Sequence, residues 1–257
     1  MSVYLIGSKS FWTILTVIFL RYIVLASIAF LIFYVVKKHA WSFRKIQQRF
    51  PVRHDYLREV GYSMLTAIIF AGVGFTVFLT PLAGYTQVYF NVSEYGWGYF
   101  LLSIILIIFL HDTYFYWMHR MIHHKSVYKY VHRVHHLSTN PSPWAAMAFH
   151  PLEAVLEAGI IVVVAFAFPV HPLALGIFLL FMMVYNVYGH LGYELYPKGF
   201  SKSRIGRWVN TSVNHNMHHL YFKGNYGLYF LFWDRWLGTL HQGYDEHFDE
   251  VTMRKNP

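Results

Sequence analysis

Hydrophobic positions come in long runs, and polar positions are confined to short segments between them. The first run, residues 11–36, holds twenty-six residues, enough for a helix of ~39 Å that crosses a bilayer with tilt. Arg21 interrupts it near the middle. A mid-span arginine costs about 2.5–3.5 kcal/mol, while each Leu, Ile, Phe or Val returns about 0.3–0.6 kcal/mol. Seventeen of those residues lie in the run, so insertion wins. The run is too long for a signal-peptide core and reads as a retained anchor. Runs at roughly 62–82 and 97–117 predict a second and a third span. A last apolar stretch, 153–190, is broken by "FPVHP" at 168–172, which predicts a hairpin of two short spans. The pattern predicts an all-α protein: a polytopic membrane bundle of about four transmembrane helices, in a single domain over residues 1–257.

Charge orients these runs. Lys37, Lys38, Arg44, Lys45, Arg49, Arg53 and Arg58 follow the first, and Arg120, Lys125, Lys129 and Arg133 follow the third, whereas "AGYTQVYFNVSEYG" at 83–96 has no lysine or arginine. The positive-inside rule places the N-terminus outside and the basic segments in the cytoplasm, at a bacterial inner membrane or the endoplasmic reticulum. The formal net charge of +9 is therefore read as loops facing an anionic leaflet, and no nucleic-acid partner is expected. With 56% apolar and 13% charged residues, the composition is that of a membrane protein. There is no cysteine, so any metal must be held by nitrogen and oxygen.

The seventeen histidines change the picture, because thirteen of them fall between positions 111 and 219. "HRMIHH" puts His119 and His123 four apart, one face of a helix. "HRVHH" places His132, His135 and His136 at i, i+3 and i+4, and "HNMHH" repeats that spacing with His215, His218 and His219. His190 stands alone after the last apolar run. All four groups fall at segment ends predicted to face the cytoplasm, which makes a histidine-rich helical cap. Single interfacial histidines such as His39, His54, His171, His241 and His247 read as hydrogen-bonding residues. Three clusters of one spacing read as a metal site, since buried imidazoles without partners would each cost about 1–3 kcal/mol. Facing helices build dinuclear sites in this way. Structural zinc prefers four ligands and needs no membrane, and a transporter would spread its ligands along the spans. Non-haem di-iron oxygen chemistry on a lipid fits best.

The segments "HDTYFYWMHRMIHHKSVYKYVHRVHH", "FHPLE", "GHLGYELYP" and "NHNMHHLYFKGNYGLYFLFWDRWLGTL" resemble the membrane fatty acid hydroxylase / sterol desaturase family. The likeness spans about 111–241 and marks roughly 100–241 as the catalytic region. The resemblance implies a di-iron oxygenase that uses O2 as co-substrate, with zinc able to replace the two irons in purified protein. It assigns the metal-ligand role to His119, His123, His132, His135, His136, His215, His218 and His219, with His190 as a ninth. Glu194 stands where fatty acid hydroxylases carry a second histidine. At i+4 from His190 it is either a carboxylate ligand or an acceptor that orients an imidazole. Asp112, His124 and His150 are further candidates for the layer around the ligands, and Asn214 and Asp234 read as caps or hydrogen-bond anchors. Tyr114, Tyr116 and Trp117 read as an interfacial aromatic belt.

Both hydroxylation and desaturation occur in the family, and the sequence leaves the choice open. The expected substrate is a membrane lipid, sterol-like or fatty-acyl. No dinucleotide-binding motif is present, so electrons are expected from a separate donor, a ferredoxin or a haem-type carrier with its reductase. A histidine-rich membrane metal-binding or transport protein is the alternative from another class.

Overall fold

Helices form where the hydrophobic runs lie. The computed structural model describes residues 2–255, and among these there is no β-strand, only isolated bridges. Helix α1 (Ser2–Phe30) continues through a π-helical segment, Leu31–Val36. Helices α2 (Arg53–Leu79) and α3 (Gly96–Ile122) follow, then a short α4 (Lys125–Val131), α5 (Pro151–Ala167) and α6 (Pro172–Gly189). Four stretches are long and apolar enough to cross a membrane: Ser10–Val36, Arg53–Leu79, Gly96–Ile122 and Pro172–Gly189. The chain is an integral membrane protein.

Two boundaries differ from the hydropathy reading. Helix α2 begins at Arg53 rather than near 62, because its polar first turn is self-sufficient. There Asp55 Oδ2 accepts from the Val52 amide at 3.1 Å, and Arg58 pairs with Asp55 at 2.9 Å. It ends at Leu79 because Pro81 disfavours helical backbone at Thr80. Helix α3 runs to Ile122 instead of 117, so His119 is still on the helix.

The hairpin of α5 and α6 turns at 168–171, and it pairs there with the connection before α3 and with the first turn of α3. The Gln87 amide donates to Ala165 O (2.8 Å), the Val170 amide to Gln87 O (3.2 Å) and the Tyr99 hydroxyl to Pro169 O (2.8 Å). At 1.5 Å per residue the seventeen residues of α5 reach only ~26 Å, short of a ~30 Å hydrocarbon core.

Ile107, Phe115, Ile160, Val164, Phe178 and Met182 pack α3 against the hairpin. Tyr22, Ala26, Ala67 and Met183 join α1, α2 and α6, and small residues such as Ala26, Ala67 and Ala71 let backbones approach closely. Val17, Leu20, Val24, Ile28, Leu31 and Val35 form an exposed stripe at helical spacing on α1, an apolar face suited to lipid.

The segment 138–150 is not α-helical yet lies inside the bundle, so its backbone needs internal partners. Tyr22 and Ser63 both donate to Trp144 O, at 2.8 and 3.1 Å, and Ser142 donates to the buried Glu59 carboxylate. The end opposite the hairpin tip is closed by α7 (Ser212–Tyr221), α8 (Phe232–Trp236) and α9 (Tyr244–Met253). The basic 37–52 connection is stitched to this end. The Ile46 amide donates to Gly192 O (3.0 Å), and Gln47 Nε2 donates to Thr139 O (2.7 Å) and Asn216 Oδ1 (2.9 Å).

Candidate metal centre

All nine histidines singled out by spacing converge at the end of the bundle opposite the hairpin tip, in two adjacent groups. His119, His123, His132, His136 and His218 form one; His135, His190, His215 and His219 form the other. Within each group one ring nitrogen from each histidine lies within 4.8 Å of those of all the others. The groups abut, with the rings of His136 and His219 centred 4.9 Å apart.

Local structure explains who joins whom. Helix α3 puts His119 and His123 one turn apart at its C-terminus. The second cluster does not sit on one helical face, as its spacing had suggested. Helix α4 stops at Val131, His132 caps it, and His135 and His136 lie on a 3₁₀ turn. His132 and His136 therefore face the first group while His135 faces the second. On α7, His215 and His219 point together, their Nε2 atoms 3.2 Å apart, and His218, about 100° round the helix from His219, crosses to the first group. His190 caps α6. The residue before it, Gly189, sits close to the second group: a Cβ there would stand 3.3 Å from the His215 ring and press on it.

The nitrogens are arranged for a cation. In the first group Nε2 of His136 lies 3.1 Å from Nε2 of both His123 and His218, and Nε2 of His119 lies 3.1 Å from that of His132. In the second, Nε2 of His190 lies 3.2, 3.1 and 3.2 Å from those of His135, His215 and His219. Where both rings of a pair hold their proton on Nδ1, as in His119–His132, His135–His190 and His190–His219, no proton joins the facing Nε2 atoms. Nδ1 of His119, His135, His190, His218 and His219 donates to the carbonyls of Tyr226 (3.0 Å), Ala148 (3.4 Å), Asn186 (2.8 Å), Gly224 (2.7 Å) and Ser138 (3.0 Å). A carbonyl only accepts, so each of these rings keeps its proton on Nδ1 and presents a lone pair at Nε2. Nδ1 of His132 donates to Glu153 Oε1 at 2.6 Å, with both side chains buried.

Burial keeps the rings neutral. Desolvation pushes His190 and His218 down to about 4. Desolvation, reinforced by neighbouring imidazoles, pushes His123, His132, His135, His136, His215 and His219 well below the ordinary value. Lone pairs facing one another at such distances repel unless a cation lies between them. Two imidazole nitrogens ~2.1 Å from one ion stand ~3.0 Å apart at a right angle and ~3.4 Å apart at the tetrahedral angle. The 3.1 Å pairs of the first group are nearer the right-angle value, and the 3.2 Å pairs of the second lie midway. The donor set fits a transition-metal ion in each group.

The carbonyls that hold His119 and His218 belong to a clasp after α7. Phe222 and Asn225 take left-handed backbone (φ 61° and 56°), as does Gly224 (φ 78°). Asp234 secures the turn, accepting from the amides of Tyr226 (2.9 Å) and Gly227 (2.7 Å) and from Thr239 Oγ1 (2.7 Å). The N-Y-G and W-D-R-x-x-G-T motifs are thus two halves of one support, and Asp234 is the anchor its sequence setting suggested.

Several expected contacts around the rings are corrected. Asp112 meets no imidazole: its Oδ1 accepts from the amides of Tyr229 (2.8 Å) and Phe230 (3.1 Å). His124 is exposed and caps α4 through the Ser126 amide, and His150 caps α5 through the Leu152 amide. Glu194 belongs to neither histidine group and meets no ring. It accepts from the Tyr188 hydroxyl (3.0 Å) and the amides of Tyr196 (2.9 Å) and Val213 (3.0 Å), and so fixes the start of α7. Tyr116 is buried rather than part of a belt; Trp117 is exposed. The residue that sequence reasoning missed is Glu153. Its signal was a carboxylate at the start of an apolar stretch that holds only one other before the hairpin turn, Glu157.

A cavity of about 280 Å³ opens among α1, α2, α5 and α6 beside this centre. Its wall includes Phe149, whose ring lies 5.1 Å from that of His135, and Asn186, whose carbonyl accepts from His190.

Residues 104–239 match the sequence profile of a family described as fatty acid hydroxylase. A Delta(7)-sterol 5(6)-desaturase of Gibberella zeae is 30% identical over 188 residues, covering 73% of this chain and 57% of that protein. A lathosterol oxidase of Rattus norvegicus is 32% identical over 187 residues, covering 72% and 60%. A Delta(7)-sterol 5(6)-desaturase of Aspergillus fumigatus is 34% identical over 202 residues, covering 72% and 63%. The chain spans less than two thirds of the length of each of these relatives. No solved structure matches.

Proposed function

The chain belongs to the fatty acid hydroxylase family, and from that premise we propose that it is a membrane di-iron oxygenase that hydroxylates or desaturates a C–H site of a sterol-like or fatty-acyl lipid, using O2 and external electrons. The observation that carries this reading is the pair of all-nitrogen groups, five imidazoles and four, whose Nε2 lone pairs face one another. Two iron ions would supply reduction of O2 and removal of hydrogen from an unactivated C–H bond. His119, His123, His132, His136 and His218 would hold one, and His135, His190, His215 and His219 the other. Five nitrogens in the first group, with pairs 3.1 Å apart, favour iron over tetrahedral zinc there.

The chain's own groups do the rest. The Tyr226, Ala148, Asn186, Gly224 and Ser138 carbonyls fix five rings in the ligating tautomer. Glu153 does so for His132 and adds a negative charge that strengthens it as a donor. Phe149 and Asn186 separate the rings from the cavity, whose apolar wall admits a hydrocarbon and excludes water. The relatives named for sterols support a sterol-like lipid. Basic segments at the histidine end, and none in the 83–96 connection that meets the hairpin tip, support a cytoplasmic orientation. A ferredoxin or haem-type carrier would then reach the site from that side.

The test is metal content of the detergent-purified protein beside His135→Ala, followed by lipid mass spectrometry of cells expressing each. Iron that falls in the variant, with a lipid that gains one oxygen or loses two hydrogens only in the wild type, supports the reading. A protein that binds no metal after reloading with iron refutes it.

A further inference from the structure

A row of phenol and indole rings joins one side of the metal centre to the surface. The Tyr226 ring stands 5.2 Å from that of His123 and 5.7 Å from those of His119 and His218, all three in the first group. Tyr116 follows at 6.3 Å, and Trp233 lies 6.0 Å beyond it. From Trp233 the row divides, to Trp236 at 5.7 Å and to Trp117 at 6.0 Å, which also lies 5.5 Å from Tyr116. Tyr116 is fully buried, whereas Trp117 and Trp236 are 49% and 66% exposed. The second group meets a phenyl instead, that of Phe149, 5.1 Å from His135.

Thiols apart, and the chain has none, indole and phenol are the side chains that give up a single electron most readily. Electron transfer weakens exponentially with distance, so short steps between such rings outrun one long jump from a buried site to water. A phenol yields its electron only if its proton has somewhere to go. Thr239 Oγ1 donates to Asp234 Oδ1 (2.7 Å), and so accepts at 2.9 Å from the Tyr116 hydroxyl, which also receives a bond from Arg120 Nη1 (3.2 Å). Tyr116 thus stands one hydroxyl away from a carboxylate, within reach of proton transfer. Desolvation lifts that carboxyl above its ordinary range, which suits it to take a proton. An aromatic belt at the membrane interface accounts for Trp117 and Trp236. It does not account for a buried phenol backed by a proton relay, or for unbroken contact with three of the histidine rings.

We infer that Tyr226, Tyr116, Trp233, Trp117 and Trp236 form an exit for oxidising equivalents, which empties the first histidine group when no lipid is there to be oxidised. The source of the oxidant rests on the oxygenase reading. Removing hydrogen from an unactivated C–H bond takes an oxidant that phenol and indole cannot withstand, and without a lipid the nearest targets are the imidazoles themselves. In each outward event one electron passes from an exposed indole through Trp233, Tyr116 and Tyr226 to the oxidised centre. The Tyr116 proton shifts through Thr239 to Asp234 and returns as the ring is refilled, and the exposed indole releases its N–H proton to water. A soluble thiol then returns a hydrogen atom to that indole radical. Two such events reduce one oxygen atom to water, with two protons from solvent, and join two thiols in a disulfide. A resting ferric centre is too weak an oxidant to draw electrons from phenol or indole, so the row is silent during ordinary reduction.

The test has two arms. In the first, the full chain without iron carries a ruthenium photosensitiser on Leu237→Cys, beside Trp236, and is flashed with an electron acceptor present. The expected result is a tyrosyl radical, seen by transient absorption and electron paramagnetic resonance and formed more slowly in D2O. Trp233→Phe and Tyr116→Phe should each abolish it, and Thr239→Val should slow it several-fold. No tyrosyl radical in the parent overturns the row and needs no further variant to fold. An undiminished yield in both Trp233→Phe and Tyr116→Phe also overturns it. In the second arm, iron-loaded protein is cycled with O2 and a chemical reductant without lipid, and oxidised histidines are counted by peptide mass spectrometry. Parent and variant both carry Tyr128→Phe, because that phenol lies 5.5 Å from His123 and is itself a donor. Trp233→Phe should raise oxidation of His119, His123 and His218 several-fold, and leave anaerobic reduction of the ferric protein at the parent rate. Equal histidine oxidation in the two proteins overturns the exit. So does slowed reduction, which would make the row an entry for electrons. Intact histidines in both, with no lipid product when lipid is supplied, refute the oxygenase reading, while the first arm still decides the row.

Discussion

Replacing Glu153 by leucine gives the sharpest test of how the rings are held. In the folded protein His132 Nδ1 and Glu153 Oε1 are 2.6 Å apart, with side chains 2% and 0% exposed. Leucine removes a hydrogen bond to a charged acceptor, worth about 1.5–3 kcal/mol, and leaves a buried N–H without a partner or lets the ring invert its tautomer. Either route takes the Nε2 lone pair out of register. At about 1.4 kcal/mol per tenfold, and in line with losses of about 10–100-fold when an acceptor behind a metal-bound histidine is removed, Glu153→Leu should weaken one metal ion by about 10–100-fold. Glu153→Gln keeps an acceptor and loses only the charge, so its loss should be about tenfold or less. The assay is an anaerobic chelator-competition titration of apoprotein with Fe(II), resolved into two binding steps, with circular dichroism confirming unchanged helix content. One step should shift and the other stay, because Glu153 touches only the group that contains His132. Wild-type affinity for both ions in Glu153→Leu would refute the argument. So would equal weakening of both steps in a protein of intact helicity.

His135→Ala and His136→Ala, neighbours in sequence, lie in different groups. Each should retain about one of two ions, and a mixed-metal titration of the double variant should show both steps weakened; loss of both ions from either single variant would count against separate groups. Acid should destabilise the apoprotein: imidazoles held below their ordinary 6.5, with His190 and His218 at about 4, take up protons only on unfolding. Stability should then be full above about pH 7 and fall between about pH 6.5 and 4, read as a melting temperature in buffered detergent; a flat profile there would refute the burial argument. Gly227→Ala would place a Cβ 2.3 Å from the Phe230 carbonyl, costing about 1–3 kcal/mol. It should lower the melting temperature and the occupancy of the His119 group together, since the adjacent Tyr226 carbonyl holds that ring.

Lipid imposes so strong a demand on chain pattern that the spans could be read directly. Long apolar runs gave α1, α2, α3 and α6, and Pro169 and Pro172 marked the hairpin turn. Polar ends were harder, as the early start of α2 shows, because a first turn capped by Asp55 carries no hydropathy signal. At the metal centre, spacing identified which histidines come together but not how they divide. The i, i+4 pairs do share a group, yet His135 and His218 cross over, which depends on a 3₁₀ turn and on the meeting of α3, α6 and α7. Proximity in sequence misled for Asp112, His124 and His150, which serve backbone amides. Conversely Glu153, twenty-one residues from the His132 ring it holds, reaches that ring only through the fold.

The crossing-over has an energetic consequence. If each histidine cluster fed its own ion, one ion could be lost while its segment loosened alone. Here the 132–136 turn and α7 each contribute rings to both groups, whereas α3 serves only the first and the end of α6 only the second. Losing either ion therefore leaves unopposed lone pairs on both of the shared segments. The rings whose proton is held on Nδ1 bring Nε2 lone pairs to about 3.1–3.2 Å of one another, as in His119–His132 and His135–His190, a repulsive arrangement that the surrounding carbonyls, Glu153 and packing hold in place. Metal binding would relieve that repulsion, so affinity for the ions would be folding free energy of the cap. The clasp built by Asp234, Asn225 and Thr239 lies outside both groups, yet it sets the carbonyls behind His119 and His218. Its share of the stability should therefore be visible without metal, while that of Glu153 should grow when the His132 group is filled.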